Sequence, residues 1–181
     1  MHRAVVIIDV QRVFEDGPHK AFQATEVIDR LNQITQAARQ AQTPVFMVQH
    51  AAASGPLAHG EPGWAFAHRL TVSPADTVVH KNTADAFHNT SLHAQLQAQG
   101  ITELIVGGIQ TDFCVDTSIR RALALGYAIS LVSDGHTTLD NTVLSAAQII
   151  AHHNVNLSSI SSFGPRVTLV PAAVMATKLA A

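Results

Sequence analysis

A single cysteine, Cys114, in 181 residues leaves no partner for an internal disulfide. A lone thiol suits a reducing compartment, where it serves either as a small buried hydrophobe or as a nucleophile. Charged residues are scarce at 13%, and neither sign dominates: 11 Lys and Arg face 13 Asp and Glu. With no basic stripe and no acidic tail, nucleic acid and membrane surfaces are poor partners. No stretch approaches the ~20 consecutive apolar residues of a membrane-spanning helix. The opening Met1-His2-Arg3 leads directly into a strand-like run, unlike a signal peptide. Neither G-x-x-x-x-G-K-[ST] nor G-x-G-x-x-G occurs, so nucleotide binding has no motif behind it. These absences leave a cytoplasmic protein acting on a small molecule, without a cofactor, as the expectation.

What is present is core material. Apolar residues make up 47% of the chain, and its length suits a single domain over 1–181. The run 4–9 (AVVIID) is continuously apolar until its final acid. Runs of the same kind recur at 45–49 (VFMVQ), 77–80 (TVVH), 103–108 (ELIVGG), 128–132 (AISLV) and 156–160 (NLSSI). Strands apolar on both faces belong to parallel sheets covered on both sides. Helical spacing appears between them, at roughly 22–41, 90–99, 114–125 and 141–153; in the first, Val27, Leu31, Ile34 and Ala38 share a face. Gly100 and Gly126 sit where helix C-caps are expected. The alternation predicts an α/β domain, a three-layer α/β/α arrangement around a mostly parallel sheet of about six strands. The stretch 51–75, rich in Ala, Gly, Pro and His, is too long for an ordinary connection and reads as a functional lid.

Open α/β sheets bind ligands beyond the carboxyl ends of their strands. Asp9 closes the first run, Lys81 follows the third, and Cys114 comes just after the fourth. Each alone has an ordinary explanation: a turn cap, a solvated lysine, a packed thiol. Their joint placement at one sheet edge points to a shared crevice.

The segment from Gly107 to Val115 (GGIQTDFCV) resembles the G-x-x-T-x-x-C-V signature of isochorismatase-like hydrolases, which include nicotinamidases and N-carbamoylsarcosine amidases. Asp9, Gln11 and Phe14 match the opening D-x-Q-x-x-F, and Lys81 with Ala86-Phe87 matches K-x-x-x-x-A-F. Ser133-Asp134-Gly135-His136-Thr137 is similar to a later segment of the family. The resemblance implies a catalytic set of Asp9, Lys81 and Cys114. It also implies a cis peptide at Ile109–Gln110 that turns the N–H groups of Gln110 and Cys114 toward an oxyanion. A cysteine at a helix N-terminus beside a lysine is expected to favour thiolate. Gln11, Phe14, Trp64 and Phe87 are candidate substrate-contacting residues, the two last as flat walls. His136 reads as a structural hydrogen-bonder.

The chain departs from nicotinamidase-like members, whose second strand ends in an Asp-x-His pair that helps hold a divalent metal. Here the stretch reads Val48-Gln49-His50, and His50, His59 and His68 stand without an acid. No metal is therefore expected. Amide hydrolysis through a thioester leads the functional readings. Vinyl ether hydrolysis and a non-catalytic thiol or binding protein on the same scaffold are the alternatives. Leu57, Trp64 and Phe66 on the 51–75 loop, together with the resemblance, point to a homo-oligomer, a dimer or tetramer.

Overall fold

The computed structural model describes residues 2–181. Its single sheet contains Arg3–Ile8 (β1), Val45–His50 (β2), Thr77–Lys81 (β3), Glu103–Ile109 (β4), Ala128–Thr137 (β5) and Val167–Val170 (β6). All neighbours pair in parallel, in the order β3-β2-β1-β4-β5-β6. The chain winds outward from β1 to β3 and then returns to the other side of β1 as β4. That reversal opens a crevice at the carboxyl ends of β1 and β4.

Side chains alternate across a strand, and β1 shows the result. Val5 and Ile7 face one core, with Ile28, Leu31 and Ile34 of α1 (Ala24–Gln40) and Met175 and Leu179 of α5 (Ala172–Ala180). Ala4, Val6 and Ile8 face the other. There they meet α2 (Leu92–Ala98), α3 (Asp116–Ala124) and α4 (Ala146–Ser159) through Leu96, Ile119 and Leu157. Truncating a fully buried leucine such as Leu31 to alanine would cost about 2–5 kcal/mol. Gly100 and Gly126 follow α2 and α3 at φ 63° and 95°, in the left-handed conformation that ends a helix.

The carboxyl end of the chain differs from the sequence reading. Residues 156–160 are not a strand: through Ser159 they continue α4, which starts with a capping box between Ser145 and Gln148. Ser158 and Ser159 turn their hydroxyls back onto the carbonyls of Asn154 and Val155, which satisfies these polar groups within the helix. The sixth strand is the four-residue Val167–Val170, and Pro171 then opens a fifth helix that the sequence reading omitted. β5 is also longer than its apolar run, carrying Ser133 to Thr137 inside the sheet past a register shift opposite Val106–Gly108.

Residues 51–75 carry no helix or strand of their own. They are tied to the end of β1 by Arg12 N–H to Ala65 O (2.8 Å) and Ala67 N–H to Val10 O (3.0 Å). No helix of the described residues is long and apolar enough to cross a membrane.

Candidate active site

Asp9 is the first residue beyond β1, in the left-handed region at φ 52° and 1% exposed. Its N–H donates to Val48 O at 2.9 Å, anchoring it to β2. Lys81 is the last residue of β3 rather than the residue after it, and its side chain is fully buried. The ammonium lies 2.6 Å from Asp9 Oδ2 and 3.2 Å from Cys114 Sγ. It also donates to Thr83 O at 3.0 Å and meets His50 Nδ1 at 3.2 Å. A buried ammonium is tolerable only when its donors are satisfied and its charge is matched, and this one meets both conditions.

Cys114 sits in a five-residue π-helical turn, Thr111–Val115, between β4 and α3. The turn closes with Val115 N–H onto Gln110 O at 3.1 Å, and the preceding Ile109–Gln110 peptide is cis. Such single π turns often lie at functional positions.

The electrostatics correct the expectation of a thiolate. Burial, followed by the negative charge of Asp9, pushes the Cys114 thiol up to about 12, and Lys81 only partly offsets them. Burial likewise raises the Asp9 carboxyl, against the pull of Lys81 and of the thiol. His50 is lowered by burial and by the Lys81 ammonium, so its ring is neutral. The resting arrangement is a thiol beside the closely paired Asp9 and Lys81.

A cavity of about 210 Å³ opens above Cys114 and Asp9. Phe14, His50, Leu57, Ala84, Gln110 and Phe113 form its walls. Among the candidate substrate-contacting residues, only Phe14 lines this cavity. Gln11 is fully buried below it, and its amide ties three backbone groups together: Nε2 donates to His50 O (2.9 Å) and Trp64 O (2.7 Å), while Oε1 accepts from His50 N–H (3.0 Å). Trp64 points away and packs against His59 and His80, at ring separations of 4.4 and 5.7 Å. Phe87 is a core residue stacked on Tyr127. His50, Leu57 and Phe113 were missed. His50 ends β2, so the strand-end rule that selected Asp9 and Lys81 also pointed to it. A larger cleft, of about 650 Å³, lies beside His2, Thr43, Gln99 and Lys178, near the starts of β1 and β4 and away from the reactive groups.

Among the described residues, one group of metal-ligating side chains converges: Asp9, His50 and Cys114, with donor atoms within 4.8 Å of one another. The Lys81 ammonium contacts all three and fills the point where a cation would sit. His59 packs on Trp64, and Glu15 takes the backbone N–H of His68 at 2.6 Å, so neither residue's placement completes a metal site. The residues present do not fit the metal of the nicotinamidase-like members.

Comparison with known proteins identifies the family. The model of the isochorismatase domain matches residues 3–156. A streptothricin hydrolase of Streptomyces noursei is 36% identical over 139 residues, covering 76% of this chain and 50% of its own length. Nicotinamidase 3 of Arabidopsis thaliana is 27% identical over 159 residues, covering 79% of this chain and 77% of its own. The chain spans about half the length of the streptothricin hydrolases it matches, 50% and 55%. Among solved structures, an isochorismatase family protein superposes with a TM-score of 0.84 at 35% identity, covering 93% of this chain and 98% of its own.

Proposed function

The chain belongs to the isochorismatase family of hydrolases, and from that premise we propose that it is a cysteine-dependent amidohydrolase of small molecules. The observation that carries the reading is the meeting of Asp9, Lys81 and Cys114 around one ammonium, beside a cavity.

Asp9 acts as the general base. It takes the Cys114 proton as sulfur attacks the substrate carbonyl, so that a C–S bond forms and the carbonyl π pair moves onto oxygen. The N–H groups of Gln110 and Cys114 are the proposed donors to that oxyanion. Collapse breaks the C–N bond, and the amine leaves with the proton held by Asp9. Water then gives a proton to Asp9, attacks the thioester, and releases the acid with the thiolate, which Asp9 reprotonates. Lys81 favours the ionised form of Asp9 against the effect of burial and stabilises the transient thiolate. A resting thiol suits this sequence, since proton transfer and attack are coupled and no standing thiolate is needed.

The cavity walls offer Phe14, Leu57 and Phe113 but no charged group besides those of the catalytic cluster. That lining favours a compact, uncharged, apolar acyl group. The test is ammonia or amine release from a panel of small amides by wild type and Cys114→Ala. Loss of at least about 1,000-fold in kcat is expected for the variant. Retained amine release in folded Cys114→Ala would remove the thioester, whereas wild type that releases no amine from any amide would favour vinyl ether hydrolysis, which needs no nucleophilic thiol.

A further inference from the structure

β5 and α4 carry a hydrogen-bond chain, buried at Thr111 and His136 and half-buried at Asn154, that no step of this chemistry uses. Asn154 donates through Nδ2 to the Ser133 carbonyl at 3.0 Å. Its Oδ1 is therefore the atom that faces His136 Nε2, 3.0 Å away. An amide oxygen can only accept, so Nε2 carries the ring proton. The opposite nitrogen, Nδ1, is left with a lone pair, and the Thr111 hydroxyl lies 2.9 Å from it. The hydroxyl must then donate to the ring.

The chain runs from Thr111 to His136 to Asn154 only while the ring is neutral, because a doubly protonated ring would reverse the Thr111 contact and leave that hydroxyl without its acceptor. Thr111 and His136 are 0% and 1% exposed, so water does not supply an alternative partner. Burial first, then His153, drives the imidazole down to about 4 against the opposing effects of Asn154 and Asp134. The remaining charged groups nearby lie on other elements. Arg30 of α1 reaches Asp134 at 3.5 Å, and Asp112 in the turn accepts from the Thr138 hydroxyl at 2.6 Å.

Thr111 is the first residue of the π turn that bears Cys114. We propose that His136 is a positioning residue for the nucleophile, acting as the hydrogen-bond acceptor that locks Thr111 and thereby fixes the turn presenting Cys114. This rests on the reading of Cys114 as nucleophile. His136 lies outside the cavity and acts only through Thr111. A nucleophile displaced by about 1 Å can lose on the order of 100-fold in rate with little loss of binding.

The experiment compares kcat and KM for wild type, Thr111→Val, Thr111→Ser, Asn154→Asp and Cys114→Ala, each checked for folding by circular dichroism. Thr111→Val keeps the shape but removes the donor. It should lose at least about tenfold in kcat with KM changed by less than about threefold. Thr111→Ser restores the hydroxyl and should recover most of the rate. Asn154→Asp still accepts from Nε2 but, as a carboxylate, stabilises the doubly protonated ring, which cannot accept from Thr111. Its kcat should therefore fall on acidification at a higher pH than that of wild type. Unchanged kcat in Thr111→Val, or superimposable pH profiles for Asn154→Asp and wild type, overturns the inference while Cys114→Ala remains inactive. Activity in Cys114→Ala overturns the nucleophile reading itself, and this inference with it.

Discussion

Replacing Asp9 with asparagine should move two reactions of the same sulfur in opposite directions. The amide keeps the shape of the side chain but cannot take the Cys114 proton, so hydrolysis should fall at least about 1,000-fold. Alkylation of Cys114 by iodoacetamide should instead accelerate at neutral pH, because burial and, after it, the charge of Asp9 keep the thiol protonated, and the substitution removes the second. The donor atoms of Asp9 and Cys114 lie within 4.8 Å of each other. At that separation and an effective dielectric of about 20, two unit charges interact by roughly 3.5 kcal/mol, on the order of 300-fold in thiolate fraction. Partial exposure of Cys114 weakens the field, and we expect a rise of at least about thirtyfold. Lys81, released from its carboxylate, pairs with the thiolate and acts in the same direction. The assay is the second-order alkylation rate across pH 6–10, read by mass spectrometry on the intact chain. Slower or unchanged alkylation in folded Asp9→Asn would refute the claim that Asp9 holds the thiol neutral.

Lys81→Met removes the opposing cation, so alkylation and hydrolysis should both fall; faster alkylation would show that Lys81 does not favour the thiolate. His136 is lowered from 6.5 to about 4, so its neutral burial contributes stability that is intact above 6.5 and lost as pH falls toward 4. The loss amounts to at most about 3 kcal/mol, and urea unfolding at pH 7 and 4.5 should show a flatter profile for His136→Gln than for wild type. At Gly108, φ is 137° and a Cβ would lie 2.0 Å from Ile8 O. Gly108→Ala should therefore destabilise by at least about 3 kcal/mol, and a melting temperature near that of wild type would contradict this. Full activity after exhaustive chelation is expected; stoichiometric zinc with activity restored by metal would overturn it. Assembly into dimers or tetramers is a proposal that light scattering at micromolar concentration tests, and a clean monomer mass removes it.

The central strands were legible because an apolar run such as 4–9 has one stable place in a three-layer fold. Asp9, Lys81 and Cys114 were legible as a group because strand ends converge whatever the loops do. Trp64 and Phe87 were not, because an aromatic side chain earns the same burial from a core or a loop as from a substrate pocket. Phe87 found Tyr127, and Trp64 found His59 and His80. The state of the thiol was hidden for a different reason. Spacing brought a lysine near Cys114, but the outcome turned on burial and on the nearby Asp9, both properties of the folded arrangement. In sequence the run 156–160 reads as a strand of the same kind as 4–9, but it is the last turn of α4, where Ser158 and Ser159 bond back onto their own helix.

The position of β1 has a consequence for how the chain is made. It is synthesised before the other five strands of the sheet, yet it lies between β2 and β4, pairing Val5 with Val45 on one side and Arg3 with Glu103 on the other. On the ribosome it must wait about forty residues for one partner and about a hundred for the other. Until β4 emerges, that edge is an open template, apolar on both faces and prone to capture by another nascent chain. Asp9 leaves β1 with no nucleophile to serve over the same interval. Pairing at such separation is slow relative to local helix formation, so the return of activity during refolding times the docking of β4 against β1, a step that helix content measured by circular dichroism would precede.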